Sequence, residues 1–495
     1  MRRTIAIIAT TIALSSAAGA QKFIGSPAQD LFDQASFYLD TQYFGPSKID
    51  LAAVIAKYQL EIDKACEELK DKCGFDKAEP LLRTMFDELD DPHAYYLSAE
   101  DVRQRNAQTS GTATAPTPRI GFSHGGFVQV TENNQTQTIA FGGFAPAFIQ
   151  AVNAGTAKLV SNDRLVLNVL PNSPAEKAGM RFGDRWVGIN GTLFASYTKV
   201  EDLAAAFTAF GQLVAAGQTV RMSMVRGSER ANVEITVKGE LVNLAETPTL
   251  ELRPDGIAVI KIRDYLLATV GQTVHNLIGQ AIAGKARAII FNLRGNSGGR
   301  GQNQVATTAA VAPSAVTYRN IPRYNVDDTT TEWAWINGNT VVRRLVKNPN
   351  VVFESLTITA PQTFTGPIAV LVDGGCASAC EYFASSVQRA KRGAVIGVDT
   401  FGIGDTNTGP FALANGGRAQ MPTIRAFWPD GTALPSTVKP DISTPNYELE
   451  LFNTGKDIGF EKAVESLTAK TMSLGARSAM STVYLRNQFG LSAAQ

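Results

Sequence analysis

The sequence predicts an α/β multidomain chain with a helical N-terminal region, a β-rich module and an α/β core. Three observations carry this reading. Apolar residues recur at helical spacing in Leu51–Ile55 and Leu60–Leu69. From about Arg119 to Val237, short β-like runs alternate with turns. Beyond Leu241, β-branched runs at Gly256–Ile262, Ala286–Leu293, Pro367–Asp373 and Gly393–Val398 are separated by helical stretches, as in a sheet with buried strands. A hydrophobic content of 44% supports real cores, and a net charge of +1 gives no reason to expect nucleic acid or an anionic membrane as partner.

In chain order, residues 1–20 read as a signal peptide. Arg2 and Arg3 precede an apolar run to Leu14, and Ala18-Gly19-Ala20 fits a small-x-small cleavage site. The run is too short to span a bilayer and no later one suffices, so the chain is expected to be exported, periplasmic or secreted, with no transmembrane segment. A helical domain follows at 21–105, then a polar linker at 106–118. The β module occupies 119–240, with an insertion at about 123–161 that fits no pattern. The core takes 241–495, with a helix expected at 457–485. An insertion at about 314–365, carrying Trp333 and Trp335, is placed to cover the cleft.

The four cysteines form two close pairs, Cys66 with Cys73 and Cys376 with Cys380. Export means an oxidising compartment, and a helical i,i+4 pair lies within disulfide reach, so two local bridges are expected. The alternatives are free thiols or a metal site, the latter weakened by having only three histidines, far apart in sequence.

Two motif groups bear on function. Pro171-Asn172-Ser173-Pro174-Ala175-Glu176-Lys177-Ala178-Gly179 runs on through Gly183-Asp184 to Ile189-Asn190-Gly191, and this resembles the core of PDZ domains. Arg119-Ile120-Gly121-Phe122 resembles their carboxylate-receiving loop, which implies that Ile120, Gly121 and Phe122 hold a peptide C-terminus beside an open strand edge. Cys376-Ala377-Ser378-Ala379-Cys380-Glu381 and Thr400-Phe401-Gly402-Ile403-Gly404 together resemble the signature of the tail-specific, or C-terminal processing, serine peptidases. That resemblance implies a PDZ-like β module, a crotonase/ClpP-like peptidase core, Ser378 as nucleophile and the Ala379 amide as an oxyanion donor. Leu293-Arg294-Gly295-Asn296-Ser297-Gly298-Gly299 resembles the family's glycine turn, which implies Gly298 and Gly299 as the remaining oxyanion-hole backbone. The same stretch also fits G-x-S-x-G, so Ser297 is a rival nucleophile.

The family keeps a lysine as base where this chain has Ile403. A serine hydroxyl needs a base to become a nucleophile. His93, in Asp91-Pro92-His93-Ala94-Tyr95, resembles the histidine base of the tricorn-like branch, and Asn407 is a candidate to orient a base or contact substrate. Glu381 and Asp405 are further acids. The first functional expectation is an exported serine endopeptidase acting on proteins or peptides with free C-termini, without metal or organic cofactor. The second is an inactive pseudopeptidase that binds peptides. The third is an acyl hydrolase using Ser297.

Overall fold

The computed structural model describes residues 25–468 except 47, 113, 116, 133, 134 and 326. The expected signal peptide and the part of the expected 457–485 helix beyond residue 468 lie outside the described residues. These residues form two compact units. One runs to Val102 and includes Thr408–Thr423, and the other holds Arg103–Asn407 and the chain from Ile424 onward.

The first unit is a helical layer on a small strand pair. Helix α1 (Pro27–Gln42) starts at Ser26, whose hydroxyl accepts from the Gln29 amide, with Pro27 in the first turn. It buries Leu31, Phe32, Ala35 and Leu39 at helical spacing. Helix α2 (Leu51–Cys66) is capped by Asp50, which accepts from Ala52 and Ala53, and buries Val54, Tyr58, Ile62 and Cys66. Helix α3 (Phe75–Asp87) closes the layer with Leu82, Met85 and Phe86. A disulfide joins Cys66 and Cys73 across a Cα separation of 5.4 Å. Strand β1 (Tyr95–Leu97) pairs antiparallel with residues 418–420.

Helix α4 (Ala99–Ser110) runs past the expected boundary at 105. Ser98 and Asp101 cap its start reciprocally, and good helix formers carry it on to Gly111, which takes φ +74° and ends it. The first residues of the expected linker are therefore helical.

The β module of the second unit contains β2 (Phe122–Glu132), β3 (Gln135–Phe141), α5 (Pro146–Asn153), β4 (Ala157–Leu159) and β5 (Arg164–Val169). It continues with α6 (Pro174–Lys177), β6 (Arg185–Ile189), β7 (Thr192–Leu193), α7 (Val200–Ala215), β8 (Thr219–Arg226) and β9 (Ala231–Lys238). The strand order is β3-β2-β5-β6-β8-β9, with β4 on β2 and β7 on β6. Trp186, fully buried, packs against Phe122, Phe194, Phe207 and Phe210 and donates its indole N–H to the Gly188 carbonyl. The stretch 123–161 is thus most of β2, the hairpin to β3, α5 and β4.

The core follows with β10 (Thr249–Leu252), β11 (Ile257–Lys261), α8 (Val270–Ala283), β12 (Ala288–Asn292) and α9 (Gly301–Ala309). A meander of β13 (Tyr318–Pro322), β14 (Thr331–Ile336), β15 (Thr340–Leu345) and β16 (Val352–Thr357) fills the 314–365 insertion. Its Trp333 and Val341 pack on Val305, Ala306 and Ala309 of α9. Then come β17 (Ile368–Val372), α10 (Ala379–Arg389), β18 (Gly393–Gly397), β19 (Thr406–Ala412), β20 (Arg418–Phe427), β21 (Ile442–Ser443), α11 (Tyr447–Thr454) and a helix over residues 458–468. The core sheet runs β10-β11-β12-β17-β18-β21, parallel except for β10. Its central strands are buried along nearly their whole length, as parallel strands covered on both faces must be. Ala379, Phe383 and Val387 of α10 line one face, and Ala463 and Leu467 line the other. The chemistry-bearing turns leave the C-terminal ends of β12 and β17, where open α/β sheets form crevices.

Candidate active site

Strand β17 ends in Asp373-Gly374-Gly375, and the chain turns sharply through Ser378 into α10. Ser378 takes φ 52°, ψ −117°, a conformation that costs a non-glycine residue of order 1–3 kcal/mol. The same feature marks nucleophilic serines on strand-to-helix turns. The surroundings over-determine it. A disulfide ties Cys376 to Cys380, with Cα atoms 5.4 Å apart. The Ala377 amide donates to the Asn296 carbonyl (2.9 Å), and the Phe401 amide to the Cys376 carbonyl (3.0 Å).

Glu381, fully buried, is the centre of this arrangement. Its Oε2 accepts from the amides of Ser378 (2.8 Å) and Ile403 (3.1 Å). Its Oε1 accepts from the Thr400 hydroxyl (2.7 Å) and the Gly402 amide (2.7 Å). Burial pushes its carboxyl above the ordinary value, while these four donors pull it back toward ionisation. One carboxylate therefore joins the serine turn to the 400–403 loop. Sequence reasoning noted Glu381 only as a possible acid. The legible signal was the Ser-x-x-Glu spacing of a capping box, Ser378 to Glu381.

The turn after β12 lies against Ser378. A methyl group on Gly298 would sit 2.7 Å from the Ala377 carbonyl oxygen, 2.8 Å from Ser378 Cβ and 3.0 Å from the Ala379 nitrogen. Only glycine fits there, at φ +91°. Asn296, fully buried, shapes this turn by donating from Nδ2 to the Ile262 carbonyl (2.9 Å) and accepting the Gly298 amide on Oδ1 (2.8 Å). Asp373 accepts the Gly295 amide (2.8 Å) and so ties the turn to the end of β17. Gly298 thus contributes close approach while its N–H is taken. The amides of Gly299 and Ala379 donate to nothing among the described residues. Ser297 is exposed and lies outside the left-handed region.

The second unit thus brings Ser378, Ala379, Gly298, Gly299 and the backbone of Ile403 together. Asn407 is engaged elsewhere, donating to Asn320 Oδ1 (3.1 Å). His93 belongs to the first unit, where it is 7% exposed. Its amide donates to Asp91 Oδ1 (2.9 Å), and burial lowers its imidazole to about 4. His124 is half-buried and His275 is buried. His275 bridges the Ala306 carbonyl (3.0 Å) and the Gln362 amide (2.9 Å), a structural role.

The Arg119–Phe122 loop lies at a separate cavity of about 350 Å³, lined by Ile120, Gly121, Phe122, Leu170, Phe210 and Val214. Its carbonyls are turned into the module. Ile120 accepts from Ala175 (2.8 Å), and Gly121 from Leu170 (2.9 Å) and from the Ser173 hydroxyl (3.2 Å). A larger cavity of about 530 Å³ separates the module from the core. In its wall Lys261 donates to Asn168 Oδ1 (2.8 Å), and Arg294 makes a two-point pair with Asp457 (2.8 Å each). No motif surrounds Lys261, and the glycine-turn motif that contains Arg294 gave that side chain no role.

Part of the chain is similar to known proteins. Residues 256–444 match Peptidase family S41. Over 353 residues the chain is 23% identical to the carboxy-terminal processing protease CtpA of Bacillus subtilis strain 168, covering 70% of this chain and 60% of that protein. Over 321 residues it is 26% identical to the chloroplastic C-terminal processing peptidase of Tetradesmus obliquus, covering 60% and 63% respectively. The chain thus spans less than two thirds of the length of these relatives. A crystal structure assigned to the S41 proteases, from Bacteroides fragilis NCTC 9343, is 14% identical and covers 89% of this chain and 97% of that one, with a TM-score of 0.51. That likeness is one of fold. The stretch 256–444 thus resembles peptidase family S41, whose members are serine-type hydrolases.

Proposed function

We propose that this chain is a member of peptidase family S41 and an exported serine endopeptidase that captures the C-terminus of a protein through its β module and cleaves peptide bonds with Ser378. In this reading the module is a PDZ-like domain and the core a crotonase/ClpP-like peptidase domain. The observation that carries the proposal is the strained Ser378 turn, held by Glu381 beside two unbonded amides. The Ser378 hydroxyl oxygen attacks the substrate carbonyl as a base removes its proton. The Ala379 and Gly299 amides receive the developing oxyanion. The protonated base then gives its proton to the departing amine, and water releases the acyl group by the same sequence in reverse. His93 is the proposed base on its resemblance to the histidine of the tricorn-like branch; burial lowers its imidazole to about 4, which keeps it neutral at ordinary pH but makes it a weak acceptor. The Arg119–Phe122 loop and its cavity are the proposed seat of the substrate's terminal carboxylate.

Fluorophosphonate labelling with mapping of the adduct tests this. Adduct at Ser378, lost in His93→Ala, is expected. Labelling retained in His93→Ala removes the base assignment, and adduct at Ser297 transfers the nucleophile to the other turn.

One observation favours a second reading. Ile403 and Ser378 donate their amides to one Glu381 oxygen, so a residue at 403 stands beside the serine turn, and here it is a hydrocarbon. In this reading the chain is an inactive pseudopeptidase that retains peptide binding. The substitution Ile403→Lys separates the two. A chain that labels only after this change supports the inactive reading, and a chain that labels without it supports the enzyme.

A further inference from the structure

We infer that the β module reads only the last few residues of a bound C-terminus, because its own inserted hairpin occupies the strand edge that a longer peptide would need. The inference rests on the PDZ-like reading above and adds a limit on ligand length to it.

The pairing of β2 assigns its two edges. Val128 pairs with Leu159 of β4 and with Ile139 of β3, so β4 and β3 lie on opposite edges. Strand β5 pairs with Phe122–Gly125 and runs in the same antiparallel sense as β4, following it in the chain. It therefore continues the β4 edge. The opposite edge is taken by β3 from Gly126, paired with Phe141, to Glu132, paired with Gln135. Among the described residues only Phe122–Gly125 keeps that edge open. An added strand there makes ladder bonds over about four residues.

Beyond Gly125 the chain's own side chains occupy this face of β2. A methyl group on Gly126 would sit 2.2 Å from Arg164 Nη1 and 2.8 Å from Phe141 Cε1. The Arg164 guanidinium is fully buried, 4.4, 4.6 and 5.0 Å from the ring centres of Phe141, Phe144 and Phe207. After Gly142-Gly143 the chain sends Phe144 against Phe207 of α7, with ring centres 5.5 Å apart. Phe148 stacks on Phe141 at 4.4 Å, and Asn153 at the end of α5 donates to Glu201 in the first turn of α7. The space between β2 and α7 is therefore open near Phe122, Phe210 and Val214, where the cavity lies, and closed at Phe207 by the chain's own aromatic residues.

A nested peptide series tests this on the full chain carrying Ser378→Ala, which prevents turnover. Fluorescein-labelled peptides of two, four, six and eight residues share their last residues and end in a free leucine carboxylate. Anisotropy titration is expected to show affinity rising from two to four residues and then staying within about twofold, the measure of no added ladder pairing. A tenfold or greater gain from four to eight residues overturns the inference and leaves carboxylate capture intact. No preference for the free carboxylate over the C-terminal amide at any length removes the capture reading, and this inference with it. Thr138→Pro takes an N–H donor out of β3. If it loosens the hairpin, the eight-residue peptide gains on the four-residue one. If it unfolds the module, the length series on the unaltered hairpin still decides.

Discussion

Two serines leave neighbouring parallel strands of one sheet, and they differ in almost everything that matters for chemistry. Ser297 follows β12 in a five-residue G-x-S-x-G match, yet it is exposed and its backbone is unstrained. Ser378 follows β17 with no such match, yet it holds φ 52° at the start of a helix, with its amide fixed by a buried carboxylate. The Ser297 turn is shaped by the neutral side chain of Asn296, and its serine is exposed. A motif records which residues are present. A strained dihedral, held by several independent bonds, records which one the fold has positioned.

The sharpest way to break this comparison is to remove each hydroxyl. Ser378→Ala is expected to lower peptidase or probe-labelling rates by about a thousandfold or more, and Ser297→Ala to change them less than about threefold. Similar losses from both would erase the distinction drawn from the backbone. Next in size is the anchor. Glu381→Ala leaves four donors without their acceptor, at an expected cost of about 3–5 kcal/mol in urea-unfolding free energy and loss of labelling. A chain that keeps its stability and labels normally would show that the clamp does not hold the turn.

Gly298→Ala probes the contact between the two turns. It sets a methyl group against backbone at φ +91° and is expected to cost about 1–3 kcal/mol and to reduce labelling of Ser378. Retained labelling would mean that the turns relax independently.

The smallest effect is in titration. Burial, the largest influence, raises the Glu381 carboxyl, so the folded chain binds that proton more readily than the unfolded one. The stability tied to this group is full below its ordinary value of 4.5 and is lost as pH rises through the raised one. Wild type should therefore lose ground against Glu381→Gln between pH 4 and 8, by about 1.4 kcal/mol for each tenfold difference in proton affinity between the folded and unfolded chain. Asn296, which shapes the other turn, does not titrate. A difference in urea midpoints that stays flat with pH would contradict the buried carboxyl's direction.

Legibility in the sequence followed the range of the interactions. The runs Gly256–Ile262, Ala286–Leu293, Pro367–Asp373 and Gly393–Val398 each contain a strand, because burial on both faces leaves a continuous apolar signature. Both disulfides joined cysteines close in sequence, where spacing already implies distance. The 123–161 stretch was opaque, since β3 is an exposed edge strand with almost no buried residue. Helix α4 overran its expected end because it buries nothing and is set by caps and propensity alone. Asn407 gave no sign that its side chain meets Asn320, 87 positions away.

By itself the sequence determined the local elements, the alternation of strands and helices, the glycine positions and the residue types at both turns. These follow from backbone preference and burial period, which act over a few residues. Only the tertiary structure decided that Glu381 gathers Ser378, Thr400, Gly402 and Ile403, that Asn296 occupies the Gly298 amide, and that β3 closes one edge of β2. Those contacts join residues whose proximity depends on how the sheet closes the chain, and no periodicity along the sequence encodes that closure.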